Sequence, residues 1–288
     1  MKPDYVTEEY IDSFIGQAIK EDIGEGDHSS LSTIPADLQG KARLKIKENG
    51  IIAGLELAND IFNKIDPQLK VVFLKEDGDQ VSVGETAFEA KGPVRSILGA
   101  ERLVLNCMQR MSGIATYTTH LSQLIKHTKA KILDTRKTTP NLRPLEKWAV
   151  TIGGGTNHRF ALYDMIMLKD NHIDYSGGIT QALISATKYL NKTCKKLSIE
   201  IETRNLDEVE EVLSAGGADI IMLDNMSPEM MKTAVKIIDG KMKTEASGGI
   251  TEENIVAIAE SGVDFISIGA LTHSVKSLDM SLKAEIEE

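Results

Sequence analysis

Six cationic side chains, four acidic ones and two histidines lie between residues 134 and 173 of an otherwise acidic chain. The cations are Arg136, Lys137, Arg143, Lys147, Arg159 and Lys169, and the histidines are His158 and His172. The whole chain of 288 residues has a formal net charge of -10, so this positive charge is local. Arginine offers a planar fork that suits a carboxylate, whereas lysine offers a point charge that suits a phosphate. The cluster indicates a pocket for a small anion, and the alternative is a solvated basic loop.

Short apolar runs precede these charges and predict the strands that position them. Six such runs follow residue 130, at 131–134, 165–169, 198–202, 219–224, 243–247 and 265–269. Helical patterns between most of them occur at 178–190, 206–215, 228–238 and 252–261. This alternation predicts a parallel sheet. Polar residues end nearly every strand, and no G-x-G-x-x-G follows the first. We therefore expect an incomplete (β/α) barrel rather than an open doubly wound sheet.

The first part of the chain mixes helices and strands without a regular alternation. Helical patterns occur at 5–20, 55–65 and 95–128, and strand patterns at 41–52, 69–74, 80–83 and 86–91. Gly113 either bends or divides the long third helix. We predict an α+β N-terminal domain over residues 1–112 and the barrel over 113–272. A closing helix at about 273–288 is expected to pack on the first domain.

Two glycine-containing loops follow the last two predicted strands. One contains Ser247, Gly248 and Gly249, and the other contains Gly269, Ala270 and Leu271. Glycine allows backbone N–H groups to approach a phosphate, and barrels often bind phosphate at these two loops. The loops are candidates for a phosphate site, although the glycines alone would also explain the turns.

Two carboxylates, Glu202 and Asp224, end successive predicted strands. Glu200 has the same alternation phase as Glu202 and points to the same side of the sheet. Buried carboxylates need a cation, a metal ion or hydroxyl groups as partners. A metal or ribose site and a structural ion pair with nearby lysines both remain open. His158 and His172 lack the spacing of metal ligands and are expected to act as hydrogen-bond donors.

Composition excludes several classes of protein. The apolar runs are too short to span a bilayer, so no membrane segment is expected. The acidic balance makes nucleic acid a poor partner. The N-terminus lacks the profile of a secretion signal, and Cys107 and Cys194 stand far apart without a metal-binding spacing. We expect two reduced thiols and a cytoplasmic location.

Several motifs, in order, resemble the quinolinate phosphoribosyltransferase family. In the second half they are Thr135-Arg136-Lys137-Thr138, Asn157-His158-Arg159 with Asp164, Lys169-Asp170-Asn171-His172, Leu223-Asp224-Asn225 and Ser247-Gly248-Gly249-Ile250. In the first half they are Glu21-Asp22-Ile23-Gly24 with Gly26-Asp27, and Glu101-Arg102 with Asn106. The resemblance therefore covers nearly the whole chain.

The resemblance implies the type II phosphoribosyltransferase fold, with an open-faced α/β N-terminal domain and an incomplete α/β barrel. It also implies transfer of phosphoribose from phosphoribosyl pyrophosphate to quinolinate, with decarboxylation, in NAD biosynthesis. The products are nicotinate mononucleotide, pyrophosphate and carbon dioxide. Two alternatives are a paralogue with another acceptor and a non-catalytic phosphate-binding barrel.

The resemblance also assigns roles to individual residues. Arg136, His158 and Arg159 would bind the quinolinate carboxylates, and Arg102 would join them from the partner subunit of a homodimer or a higher oligomer. Lys137 and Lys169, with Thr135, would face the substrates. Glu202 and Asp224 would bind the ribose hydroxyls with Mg²⁺. The 5′-phosphate would lie against Ser247, Gly248, Gly249, Gly269, Ala270 and Leu271.

The chain departs from the family pattern at three places. Ala161 stands where many relatives have Gly, and His28-Ser29-Ser30 replaces a Thr-rich end of the acidic turn. Gly216-Gly217 resembles a one-residue insertion between Glu202 and Asp224. This insertion leaves Glu200 as a rival for the ribose role.

Overall fold

The computed structural model describes residues 2–285, which form two compact units. Within the described range, the first unit comprises residues 2–119, 139–154 and 274–285, and the second comprises 120–138 and 155–273. The predicted ranges differ from these units chiefly at residues 139–154, which follow the first barrel strand in sequence but belong to the first unit.

The helices and strands follow in an order close to the predicted one. In the first part they are α1 (Glu8–Asp22), α2 (His28–Thr33), β1 (Gln39–Ile46), β2 (Gly50–Ile51), α3 (Leu55–Ile65), β3 (Lys70–Phe73), β4 (Gln80–Val81), β5 (Thr86–Pro93) and α4 (Val94–Leu124). The next elements are β6 (Lys131–Leu133), α5 (Arg143–Ile152), β7 (Ile166–Leu168), α6 (Asp170–Ser176), α7 (Ile179–Thr193), β8 (Ile199–Thr203) and α8 (Leu206–Ala215). The last are β9 (Ile220–Asp224), α9 (Pro228–Ile238), β10 (Lys243–Ser247), α10 (Ile255–Glu260), β11 (Phe265–Ser267), α11 (Ala270–His273) and β12 (Met280–Glu285).

The first unit contains an antiparallel sheet in the order β12-β1-β5-β3. Alternate residues of β1 are buried, as the sequence pattern predicted, because Ala42, Leu44 and Ile46 face the core. Helix α3 begins at Gly54, whose φ of 96° is accessible to glycine at little cost. The carboxylate of Asp77 accepts a hydrogen bond from the Leu55 backbone N–H at 2.9 Å and so caps this helix from outside.

The long helix α4 is continuous through Gly113. A Cβ atom at this position would lie 2.2 Å from the backbone oxygen of Lys276, so glycine allows two backbone segments to approach closely. Arg102 lies more than one turn from the helix start at Val94, and its side chain is exposed.

Two sequence predictions for the first unit need correction. The closing helix is wrong for residues 280–285, which form β12 and pair antiparallel with β1; residues 286–288 lie outside the described range. The single strand expected at 41–52 is two strands, β1 and β2, in different sheets. The acidic turn ends in a helix cap, because the Asp27 carboxylate accepts hydrogen bonds from the backbone N–H groups of Ser29 and Ser30.

The second unit contains the parallel sheet that the sequence predicted. Its strand order is β6-β11-β10-β9-β8-β7. The two strands that are adjacent in sequence, β6 and β7, lie at opposite ends of this order, as expected for a barrel that is open between its first two strands. The residues that follow β6, together with Met167 of β7, line one cavity, which requires the sheet to curve.

Helix caps in the second unit agree with the sequence signals. The Asn205 side chain accepts a hydrogen bond from the Glu208 backbone N–H at 2.9 Å at the start of α8. Ser227 caps α9 in the same way through the Met230 backbone N–H. These caps fix where each helix starts relative to the preceding strand, and the polar residues that follow the strands lie in between.

Candidate active site

A cavity of about 320 Å³ in the second unit contains four of the six cations that lie between residues 134 and 173. Its lining residues come from the C-terminal ends of the barrel strands and from the segment before β7: Thr135, Arg136, Lys137, His158, Arg159, Met167, Lys169, Met222, Glu245, Ser247 and Ser267. The sequence predicted seven of these eleven as site residues, and the structure brings the seven together. The solvated basic loop is therefore excluded.

The buried carboxylate of Asp134 places His158 at the edge of the cavity. Its Oδ1 atom accepts a hydrogen bond from the His158 backbone N–H at 2.9 Å, and the Asn157 side chain donates to Oδ2. Thr156 forms an isolated parallel bridge with Leu133, which anchors the start of this segment beside β6. Asp134 was noted in the sequence only as a strand end, and it emerges as the organiser of the loop.

The His158 ring lies against two fully buried carboxylates. Its Nε2 atom is 3.0 Å from Oε2 of Glu200 and 3.2 Å from Oε2 of Glu245. Burial alone lowers the pKa of His158, but hydrogen bonding to these two carboxylates and their charges raise it to about 10. Burial in turn raises the pKa of Glu200 to about 7, and the neighbouring Glu245 charge acts in the same direction. The ring and the two carboxylates therefore form one ionic cluster.

Whether the His158 ring is charged depends on whether its second nitrogen, Nδ1, carries a proton. The Arg159 backbone N–H lies 2.6 Å from Nδ1, which fits an unprotonated Nδ1, whereas a pKa near 10 implies a proton there. The Glu200 and Glu245 side chains favour the charged ring more strongly than the amide dipole of the adjacent residue opposes it. His158 is then an imidazolium at neutral pH.

Two guanidinium groups, those of Arg136 and Arg159, line this part of the cavity. Burial lowers the pKa of Arg159, and the charge of Arg136 lowers it further. Nε of Arg136 is buried and has no hydrogen-bond partner among the described residues. A buried donor without a partner is costly, and like charges held close repel each other. An anion bound here would satisfy the donor and relieve the repulsion.

The Asp164 side chain closes the loop that carries Arg159. Its carboxylate accepts hydrogen bonds from the backbone N–H groups of Phe160 at 2.6 Å and Ala161 at 2.7 Å. Ala161 does not have a positive φ, so the chain's departure from glycine at this position costs no backbone strain.

A second group of charges lies at the ends of β7, β8 and β9. Lys169 Nζ is 3.5 Å from Oε2 of Glu202. Burial raises the pKa of Glu202, and the charge of Asp224 raises it further. Two carboxylates that repel each other beside a cation offer hard oxygen ligands, and this donor set suits Mg²⁺ or sugar hydroxyls. Glu200 contacts His158 instead, so the geometry favours Glu202 for a role at this end of the site.

His172 accepts a hydrogen bond, whereas the sequence led us to expect a donor. Its Nδ1 atom accepts a hydrogen bond from the Lys169 backbone N–H at 3.0 Å, so it is an acceptor rather than a donor in this contact. The contact fixes the start of α6 directly behind Lys169.

The two predicted phosphate loops lie next to cavity residues. The Thr272 hydroxyl donates a hydrogen bond to the Lys137 backbone oxygen at 2.8 Å, and a Cβ on Gly269 would lie 3.0 Å from Cδ of Lys137. Lys137 and the loop from Gly269 to Leu271 are therefore in contact. The Leu271 side chain is fully buried, so only its backbone is available to a ligand.

The glycine at position 248 is required by its surroundings. Its φ is +90°, and an added Cβ would lie 2.3 Å from Oδ1 of Asn225. The Asn225 backbone N–H donates to the Ser247 backbone oxygen at 2.8 Å, which joins the ends of β9 and β10. The backbone of this loop is thus held beside Ser247, which lines the cavity.

Four lining residues were missed as site residues by sequence reasoning: Met167, Met222, Glu245 and Ser267. A signal existed for Glu245, because it lies two residues before Ser247 on β10 and therefore points to the same face. The methionines carried no such signal, since apolar residues at strand centres usually belong to the core.

Arg102, the remaining predicted site residue, lies on α4 in the first unit with its side chain exposed. Within the described residues, no helix is long and apolar enough to cross a membrane. Both cysteines are free, as expected.

Known proteins of one family match almost the whole chain. The profile described as "Quinolinate phosphoribosyl transferase, C-terminal domain" matches residues 114–283, and the corresponding N-terminal profile matches residues 27–112. Nicotinate-nucleotide pyrophosphorylase [carboxylating], chloroplastic, from Arabidopsis thaliana is 48% identical over 285 residues, covering 94% of this chain and 81% of that protein. Quinolinate phosphoribosyltransferase [decarboxylating] 2b, mitochondrial, from Nicotiana tabacum is 47% identical with the same coverage.

Solved structures agree with the sequence matches. The nicotinate-nucleotide pyrophosphorylase from Francisella tularensis superimposes with a TM-score of 0.92 at 41% identity, covering 97% of this chain and 98% of that one. The resemblance inferred from the motifs and the predicted fold class are thereby confirmed. With both domain profiles matched in order, the chain belongs to the quinolinate phosphoribosyltransferase family.

Proposed function

We propose that this protein transfers phosphoribose from phosphoribosyl pyrophosphate to the ring nitrogen of quinolinate and releases pyrophosphate and carbon dioxide. The product is nicotinate mononucleotide, an intermediate of NAD biosynthesis. The observation that carries the proposal is the pair of like-charged guanidinium groups, Arg136 and Arg159, in one cavity with two lysines. Two arginine forks suit a planar dicarboxylate better than a phosphate alone.

The acceptor is expected at the end of the cavity that holds Arg136, Arg159 and His158. The buried, unpartnered Nε of Arg136 supplies a donor for one carboxylate. Quinolinate carries two adjacent carboxylates, so the mutual repulsion of the arginines is offset by the ligand rather than by protein groups. Each charge-assisted hydrogen bond contributes about 1.5–3 kcal/mol.

The donor is expected at the opposite end. Lys137 and Lys169 would face the pyrophosphate and the reacting centre, and Thr135 would support them. The 5′-phosphate would bind the backbone at Ser247, Gly248, Gly249, Gly269, Ala270 and Leu271. The contact between Lys137 and Gly269 supports this placement, because it brings a lysine to the edge of that loop.

Glu202 and Asp224 would bind the ribose hydroxyls and hold Mg²⁺ that enters with phosphoribosyl pyrophosphate. The repulsion between these carboxylates supports the assignment. When bound, Mg²⁺ neutralises charge on the leaving pyrophosphate.

The protein's contribution to the reaction is to position two polyanions and to stabilise charge. Breaking the bond between the ribose carbon and pyrophosphate develops positive charge on the sugar, while Lys137 and Lys169 offset negative charge on the departing oxygens. The new bond uses the lone pair of the ring nitrogen. Once substituted, the positively charged nitrogen stabilises the electron pair left on the adjacent ring carbon as the 2-carboxylate departs as carbon dioxide, and that carbon then takes up a proton.

We further propose that the protein is a cytoplasmic homodimer or a higher oligomer, in which Arg102 of one subunit reaches the acceptor end of its partner's site. The exposed position of Arg102 on α4 supports this proposal.

The direct test is to incubate the purified protein with quinolinate, phosphoribosyl pyrophosphate and Mg²⁺, and to follow nicotinate mononucleotide and pyrophosphate. Formation of both products in equal amounts is expected. Nicotinate in place of quinolinate is the control, because it lacks the 2-carboxylate. Turnover of nicotinate alone would instead identify a paralogue, and turnover of neither acid would leave a phosphate-binding protein.

A further inference from the structure

The cavity contains one carboxylate for which the proposed reaction has no direct use. Glu245 lines the cavity, is fully buried and lies in the middle of β10. Apart from the contact with the His158 ring, its two carboxylate oxygens have no hydrogen-bond partner among the described residues. A negative charge inside a pocket for dianions opposes binding unless it serves another purpose.

The nearest cation to Glu245 is His158, whose Nε2 atom lies 3.2 Å from Oε2. Glu200 approaches the same nitrogen from β8, so two strands hold the ring between them. With Nε2 facing these carboxylates and Nδ1 facing the Arg159 backbone N–H, both ring nitrogens are directed at protein groups. His158 therefore acts on a ligand through its charge and not through a direct hydrogen bond.

We propose that Glu245, together with Glu200, is a positioning residue that holds His158 in place as a fixed cation beneath the acceptor site. The inference rests on the proposed function, since it concerns the affinity for the acceptor acid. In this arrangement the charge of the ring offsets the charge of the carboxylates that hold it, and the ring presents positive charge to the quinolinate carboxylates.

A different reading of the same three residues is a metal site, because their ligand atoms all lie within 4.8 Å of one another. The surrounding charge argues against it. Arg136, Arg159 and Lys169 line the same cavity, and a divalent cation would have to enter among them. The ion-pair cluster accounts for the geometry without opposing these charges.

The test is the isosteric substitution Glu245→Gln, which keeps size and removes charge. Quinolinate binding is measured directly by calorimetry, and the KM values of both substrates are measured alongside. We expect the dissociation constant of quinolinate to rise about tenfold, because the loss of the charged partner of His158 costs about 1–2 kcal/mol. The KM for phosphoribosyl pyrophosphate should change by less than about twofold. Glu245→Asp, which retains the charge, should recover part of the loss.

A double-substitution cycle separates positioning from simple structural support. If Glu245 acts through His158, Glu245→Gln should have no further effect on quinolinate affinity in a His158→Gln background. The proposal would be overturned if the two substitutions weakened quinolinate binding independently, so that their fold-changes multiplied in the double variant. Unchanged or tighter quinolinate binding by Glu245→Gln would also overturn it. Equal losses for both substrates with a lowered melting temperature would also overturn it.

Glu200→Gln provides a second variant if Glu245→Gln fails to fold. The same quinolinate-specific loss is expected, whereas a raised KM for phosphoribosyl pyrophosphate would assign Glu200 to the ribose and contradict the proposal. A wild-type protein that forms no nicotinate mononucleotide would refute the proposed function instead. The binding measurement on quinolinate alone keeps the two failures distinct.

Discussion

Lys169 Nζ lies 3.5 Å from Oε2 of Glu202, and this contact joins the cations of the site to its carboxylates. The lysine side chain is half exposed while the glutamate is almost buried, so the lysine is the partner that is free to move toward a ligand. Burial raises the pKa of Glu202, whereas the positive charge of Lys169 lowers it and so favours the ionised carboxylate. One cation thus serves both the substrate and the neighbouring acid.

The first prediction concerns the charge of Lys169. Lys169→Met keeps the aliphatic stem and removes the charge, and we expect kcat/KM to fall by about a hundredfold or more. Steady-state kinetics with both substrates provide the measurement. Lys188→Met, on the exposed face of α7, is the matched control and should retain full activity. Comparable activity of the two variants would contradict a role at the reacting centre.

The second prediction concerns Glu202. Glu202→Gln should raise the KM for phosphoribosyl pyrophosphate about tenfold and increase the Mg²⁺ concentration needed for half-maximal rate, because a hard anionic ligand is lost. The KM for quinolinate should remain within about twofold. Glu210→Gln on the exposed face of α8 is the control. If the KM for quinolinate rises instead, Glu202 belongs to the end of the cavity that binds the acceptor, and the assignment of the acceptor and donor ends is reversed.

The third prediction concerns Gly248. Gly248→Ala must accommodate a Cβ 2.3 Å from the Asn225 side chain in addition to a positive φ, so loss of phosphoribosyl pyrophosphate binding is expected. Gly240→Ala is the control, because Gly240 has a φ of +70° and open space around it. The control should lose about 1 kcal/mol of stability from backbone strain alone. Equal activity losses would show that strain, not loop geometry, is responsible.

The fourth prediction concerns the proposed shared site. Arg102→Ala and Lys169→Ala proteins should each be nearly inactive. When the two are dissociated and mixed, the rate of the whole mixture should rise to as much as about a quarter of the wild-type rate. The reason is that a mixed dimer contains one site with neither substitution. Native mass spectrometry confirms that mixed dimers have formed. Mixed dimers without recovered activity would show that Arg102 serves the site of its own subunit or none.

The fifth prediction concerns pH and stability. The folded pKa of His158, about 10, lies above its ordinary value of 6.5, so the folded state holds a proton that the unfolded state releases. This contribution to stability is complete below about pH 6.5 and is lost as the pH rises toward 10. The difference in free energy of unfolding between wild type and His158→Gln should therefore shrink from pH 6.5 to 9.5 in denaturant titrations. A constant difference would show that His158 is not an imidazolium.

The barrel strands were predictable because their apolar runs and helix caps repeat at regular intervals. Strand β12 was not predictable: its residues, Met280 to Glu285, alternate weakly, and its partner β1 lies more than 230 residues earlier in the chain. Local patterns carry no information about such distant pairing. Helix α5 was missed for a related reason, because it is short and polar residues flank it.

Within the site, the cations were predictable from residue type and spacing, whereas their partners were not. Arg136 and Lys169 lie at or just after the ends of apolar runs. The contact between His158 and Glu245 joins residues 87 positions apart and depends on the curvature of the sheet. The raised pKa of His158 follows from that contact and has no signature in the sequence.

Residues 139–154 give the chain an interwoven connectivity. The polypeptide passes between the two units after residues 119, 138, 154 and 273, so no single cut separates them. The segments that carry Lys137 and His158 flank two of these passages, at residues 138 and 154. A fragment ending at residue 112 would lack both α5 and β12 and would leave the β1 edge unpaired. Proteolysis or gene truncation at the apparent domain boundary should therefore yield aggregation-prone pieces rather than two independently folding halves.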